Sequence, residues 1–153
     1  MKKIGQGFYW QDLNVGDKFE TWGRTVLESD ICTFINLMGL HEVVFSDREF
    51  LKNDSVIKQP FAPGALVYSM AEGLLLPAIQ GTGMAFLNME LDIKRPCFAG
   101  DTIHVEFEIR DIRPTSKGNR GLVRAYNEVI NQDGEVVLTY TPLRMVKGRP
   151  EAD

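Results

Sequence analysis

The thirteen residues from Gly64 to Leu76 are apolar on nearly every side of a helical wheel. A helix of that kind cannot lie on a surface and has to be surrounded by protein. Ser69, Glu72, Gly73 and Pro77 interrupt the wider apolar stretch from Ala65 to Ile79, which falls short of the roughly 20 residues that span a bilayer core. It is therefore expected to be a buried core helix, stopped by Pro77 and Gly81. Runs of alternating residues follow it. Ala85, Leu87, Met89, Leu91 and Ile93 alternate with Phe86, Asn88, Glu90, Asp92 and Lys94, and Ile103, Val105, Phe107 and Ile109 alternate with Thr102, His104, Glu106, Glu108 and Arg110. Period-2 patterning of this kind marks half-buried strands. A third run covers Leu122 to Ile130, and Asp133-Gly134 is placed to turn it into a fourth, Val136 to Met145. One apolar helix followed by consecutive antiparallel strands predicts an α+β fold in which the sheet curls around the helix. A sheet of that shape covers the helix on one side only, so a homodimer is expected to complete the structure.

Upstream, Ile31, Phe34, Ile35 and Met38 follow the spacing of an amphipathic helix over Glu28 to Met38, with Gly39 placed to end it. A short helix is expected near Ser46, where Glu49 completes a capping-box pattern. The 153 residues suffice for one domain, read as 1–153, with no room for a second. Seventeen Lys and Arg against 21 Asp and Glu give a net charge of −4. That balance lacks the basic footprint of a nucleic-acid binder. The first residues offer no apolar h-region, and Cys32 and Cys97 have neither metal-ligand nor disulfide-framework spacing. A cytoplasmic protein with reduced thiols and no metal is the expectation.

Several segments resemble one family across almost the whole chain. These are Phe8 to Gly16, Gly23 to Val26 with Glu28, Asp30 and Ile31, Ala62-Pro63-Gly64-Ala65-Leu66, and, most specifically, Arg95-Pro96-Cys97-Phe98-Ala99-Gly100-Asp101-Thr102-Ile103. The family is the MaoC-like dehydratases, which share the hot-dog fold with acyl-thioester hydratases and thioesterases. The resemblance implies reversible addition of water to a trans-2-enoyl thioester of coenzyme A or an acyl carrier protein, with no cofactor beyond the coenzyme A of the substrate. In the family an Asp and a His within G-D-x-N-P-x-H move the protons. Here the stretch reads Gly39-Leu40-His41-Glu42-Val43-Val44-Phe45, which puts Leu40 at the Asp position and Phe45 at the His position.

Neither replacement accepts a proton, so the candidate acid–base groups are His41 and Glu42, the titratable pair in that loop. Glu72 is a third candidate, because a carboxylate on an apolar helix needs a partner or a role. Its spacing from Gly64 is similar to that of hot-dog thioesterases, so an acyl-CoA thioesterase is the alternative enzyme and a non-catalytic acyl-CoA binder the alternative outside catalysis. Gly64 and Ala65 open the core helix, where unpaired N–H groups polarise a carbonyl oxygen. Arg95, Lys117 and Arg120, with Lys94 and Arg124 nearby in sequence, are candidates for the coenzyme phosphates. Asp47 reads as a helix cap, Asp101 as a turn-former, and His104 as an exposed strand residue.

Overall fold

A computed structural model describes residues 1–151. After a 3-10 turn at Trp10–Asp12 come two short strands, β1 (Lys18–Glu20) and β2 (Arg24–Thr25). Helices α1 (Glu28–Met38), α2 (Val43–Ser46), α3 (Arg48–Asn53), α4 (Gly64–Leu74) and α5 (Leu76–Ile79) follow. The chain then forms β3 (Gly83–Asn88), β4 (Leu91–Ile93), β5 (Thr102–Pro114), β6 (Arg120–Ile130), β7 (Val136–Tyr140) and β8 (Leu143–Lys147). All eight strands join one antiparallel sheet. Its inner face packs on α4, where Leu66, Val67, Met70 and Ala71 meet Val105, Val129, Leu138 and Tyr140 in the main core. The α+β reading and the sheet curled around the apolar helix are what the structure has.

Helix α1 has the expected bounds, with Ile31 and Ile35 buried and Gly39 closing it at φ +67°, although Met38 is exposed. The short helix differs from expectation. Ser46 ends α2, its hydroxyl donating to the Glu42 carbonyl, and Asp47 caps α3 by accepting from the Glu49 and Phe50 amides at 3.0 Å each. One Asp47 oxygen accepts both amide hydrogens, and its negative charge suits the positive end of a helix better than a neutral hydroxyl does. Pro77 does not end the helical region, because it stands in the first turn of α5, where its missing N–H costs nothing.

Two of the expected strands are each split in two. The run from Ala85 to Lys94 breaks at Met89-Glu90, so that β3 pairs with β8 while β4 pairs with β7. The run from Val136 to Met145 breaks at Thr141-Pro142 for a physical reason: Pro142 has no N–H to extend the ladder. The two breaks face each other. Thr141 N–H donates to the Glu90 carbonyl, and the Arg124 guanidinium donates to Thr141 O and Asn88 Oδ1 at 3.0 and 2.7 Å. The sheet bends there around α4. Helix α4 is not enclosed on every side as its composition suggests: Ala65, Ser69 and Gly73 form an exposed stripe along it. Strand β3 is exposed at every residue, Met84, Phe86 and Leu87 included.

Candidate active site

The start of α4 is fixed by the loop before it and by the turn at 95–102. Ala62 N–H donates to the Cys97 carbonyl at 2.8 Å, Ala99 N–H to Pro60 O at 3.1 Å, and Phe61 bridges Phe98. These bonds set Gly64 in the wall of a cleft of about 260 Å³. Phe61, Val67, Ile93 and Leu138 form its apolar sides, and Lys94 and Arg95 are its basic residues. A Cβ at Gly64 would press on the Ile93 side chain, which a larger residue there would have to displace. Pro63 offers no side-chain cap to α4. Its carbonyl accepts from Leu66 and Val67, and the Gly64 and Ala65 N–H groups have no acceptor among the described residues. Two free amides at a helix N-terminus carry partial positive charge suited to a carbonyl oxygen.

Two of the five residues read as substrate-binding thus line one cleft, Gly64 and Arg95, with Ala65 beside them on α4 and its side chain exposed. Arg95 also pairs with Glu135 at 3.2 Å. Lys117 and Arg120 are placed elsewhere, exposed at the β5–β6 turn. Asn119 of that turn is bonded to Trp10, Gln11 and the Arg149 carbonyl. Cys97 closes the cleft floor, and burial, with the Asp101 charge adding to it, pushes its thiol up to about 12. It is a neutral wall group at physiological pH.

His41 and Glu42 lie on the exposed loop between α1 and α2, and neither side chain makes a hydrogen bond or ion pair among the described residues. Phe45, at the family's His position, packs its ring against Phe61 with centroids 5.2 Å apart. Phe61 is itself a wall of the cleft, so this contact ties the loop region to it. Asp47 serves as the cap described above, and Asp101 holds its turn by accepting from Phe98 N–H and from Gln132.

Glu72 has a basic partner. Arg144 on β8 reaches both of its carboxylate oxygens, at 2.6 and 2.9 Å, and Tyr68 O–H donates to it at 3.2 Å. The pair is 14% and 18% exposed, and the guanidinium also stacks 5.0 Å over the Phe86 ring. Burial and the Glu72 charge raise the pKa values of Tyr68 and Tyr140, which keeps both phenols protonated. With both oxygens engaged, Glu72 is not a lone carboxylate poised for thioester hydrolysis. Sequence reasoning asked for a partner to Glu72 but missed Arg144. The available signal was an arginine in a strand otherwise turned toward the core. Glu20, His104 and Glu106 bring potential metal-ligand atoms within 4.8 Å of one another, with His104 half-buried and the two carboxylates exposed. None of them lines the α4 cleft.

An antiparallel sheet wrapped around a helix whose free N-terminus opens into an apolar cleft defines a hot-dog-fold protein, a fold that a Mycobacterium tuberculosis structure carries twice in one chain. Residues 14–140 match the family model described as FAS1-like, dehydratase domain region, and the chain belongs to that family. It is similar in structure to a MaoC-like dehydratase from Rhodospirillum rubrum, at TM-score 0.84 and 29% identity over 95% of this chain and all of that one. It is 26% identical to an (R)-specific enoyl-CoA hydratase of Aeromonas caviae over 84% of this chain and 92% of that protein. It is 27% identical to a mesaconyl-CoA hydratase of Cereibacter sphaeroides over 98% of this chain, but spans only 44% of that relative's length. The MaoC-like resemblance read from the sequence motifs agrees with these matches. No helix among the described residues is long and apolar enough to cross a membrane.

Proposed function

We propose that this chain binds acyl thioesters in the Gly64 cleft and hydrates a trans-2-enoyl-CoA, or runs the reverse dehydration. The observation that carries the reading is the pair of free amides at Gly64 and Ala65 opening a largely apolar cleft that also holds Lys94 and Arg95. The thioester carbonyl accepts from the amides, so charge that develops on its oxygen as water adds is stabilised. His41 takes a proton from water as the hydroxyl adds at C3 and returns that proton at C2, with Glu42 the carboxylate next to it in the loop. Arg95 and Lys94 bind phosphate on the carrier. The hydratase names of two relatives support the reaction class. The reaction uses no metal or redox group, and the free thiols of Cys32 and Cys97 suit a cytoplasmic setting. Isothermal titration with crotonyl-CoA tests the cleft: Arg95→Glu is expected to weaken binding about tenfold or more, each unmade charge-assisted contact being worth ~1.5–3 kcal/mol. Unchanged affinity would place the thioester elsewhere.

The functional unit proposed is a homodimer. Strand β3 leaves a sheet edge unpaired among the described strands, α4 bears its bare stripe beside it, and one relative is more than twice the length of this chain. A second copy would pair the edge and cover the stripe. Light scattering at micromolar concentration is expected to give twice the chain mass, and a monomer would refute the assembly.

A further inference from the structure

A small second pocket lies at the C-terminal end of α4, where Leu75 caps the helix, and shares no lining residue with the Gly64 cleft. Its volume is about 50 Å³. Most of its wall is apolar, with Phe8, Leu75, Phe107 and Ile109 among the lining side chains, and three polar residues, Thr82, Asn127 and Arg144, join them. Thr82 and Asn127 are each 1% exposed. Thr82 Oγ1 and Asn127 Oδ1 nevertheless have no hydrogen-bond partner among the described residues, and neither does Tyr140 Oη, the cross-strand neighbour of Asn127 outside the pocket lining. Buried polar atoms are almost always paired, and leaving them unpaired is destabilising. Valine at 82 and leucine at 127 would fill the same space without that penalty, so the oxygens point to something that occupies the pocket.

Their chemistry restricts the occupant. Asn127 Oδ1 accepts only, whereas the Thr82 hydroxyl donates or accepts, so a fitting occupant donates one hydrogen bond and is able to take one back. Arg144 is already neutralised by Glu72 through Nη2, which makes the pocket electrically balanced as it stands. A carboxylate would bring an unbalanced negative charge beside Glu72 and no hydrogen for Asn127. An alcohol hydroxyl meets both requirements, and the volume suits a terminal CH₂OH group. Phe8, Leu75, Ala78 and Phe107 also line an open groove of about 480 Å³ on the outer side. These four residues are the wall between the pocket and the groove, where movement of their side chains would admit an apolar body.

We propose that this pocket is a binding site for the hydroxyl end of a neutral, otherwise apolar molecule, separate from the thioester cleft and independent of its assignment. The experiment titrates the full chain with 1-hexanol and, separately, with hexanoate, following the Asn127 side-chain amide by NMR and the thermal midpoint. Saturable movement of that amide with 1-hexanol, and none with hexanoate, is expected. Thr82→Val with Asn127→Leu is expected to weaken 1-hexanol binding about tenfold or more while raising the midpoint of the free protein by about 2–4 °C, because two unpaired polar atoms are removed. Thr82→Val alone gives the same signs at smaller amplitude if the double variant folds poorly. Absence of a saturable response in the wild type overturns the proposal without reference to any variant. Destabilised variants would show that the two oxygens are satisfied by structural water, and tighter binding of hexanoate would show a site for anions; either result also overturns it.

Discussion

His41→Ala is expected to lower the hydration rate by about 10²–10⁴-fold, the usual contribution of one positioned acid–base group, with little change in the KM for a short enoyl-CoA. Leu40 and Phe45 occupy the positions where the family carries its proton-moving pair, and neither can take a proton. Phe45 is instead committed to packing on Phe61. His41 remains the titratable imidazole of that loop, exposed and without a hydrogen-bond partner among the described residues. It does not line the Gly64 cleft within one chain, so the same variant tests whether the loop belongs to the site. Glu42→Gln is expected to have a smaller effect, since Glu42 makes no hydrogen bond to the imidazole among the described residues and acts on it only as a neighbouring charge. Full activity in His41→Ala would remove the loop from the mechanism and leave the cleft as a binding site only.

Arg144→Leu is expected to destabilise the fold by about 2–4 kcal/mol. Removing one partner of a fully buried ion pair costs ~3–5 kcal/mol, and the lower range allows for the exposure that both side chains retain. At about 2–4 °C per kcal/mol for a chain of this size, the thermal midpoint should fall by about 5–15 °C. The lone Glu72 would then be left against Tyr68 on an otherwise apolar helix. Glu72→Leu combined with Arg144→Leu should recover most of the loss, because an apolar replacement of a whole buried pair is often near neutral. A double variant no more stable than Arg144→Leu would mean that Arg144 acts through Phe86 or its neighbours in the sheet and not through Glu72. Ordinary thioester hydrolysis in Glu72→Gln, should the protein show any, would likewise leave Glu72 a structural residue.

The parts of this fold that a sequence reader recovers are those whose period is set by one environment over many residues. Helices α1 and α4 and strands β5 and β6 are of this kind, each 11 to 13 residues long with a face turned inward, the two strands spanning the main core and a second cluster at Ile109, Val123, Ala125 and Val146. The β3–β4 and β7–β8 breaks are invisible to alternation, because β3 is exposed on both faces, against the half-buried strand its pattern predicts, and β7 is buried on both. Pro142 is the residue that could have revealed one of them. Strands β1 and β2, three and two residues long, carry too little pattern to register at all. At the site, the adjacency of Gly64 and Arg95 depends on hydrogen bonds between the 60–63 loop and the 95–102 turn, which no spacing rule contains. The family resemblance supplied it. The Glu72–Arg144 pair shows the opposite limit: burial physics demanded a cation for Glu72, but only the fold could select one 72 residues away.

The central claim is that the Gly64 cleft adds water to an enoyl thioester and leaves the thioester bond intact. The direct test incubates the purified protein with short and medium trans-2-enoyl-CoA esters while following enoyl absorbance and free thiol together. Loss of absorbance with no thiol released is the predicted result. Thiol release would establish a thioesterase, and silence in both channels with crotonyl-CoA still bound would establish a binding protein. Either would contradict the account.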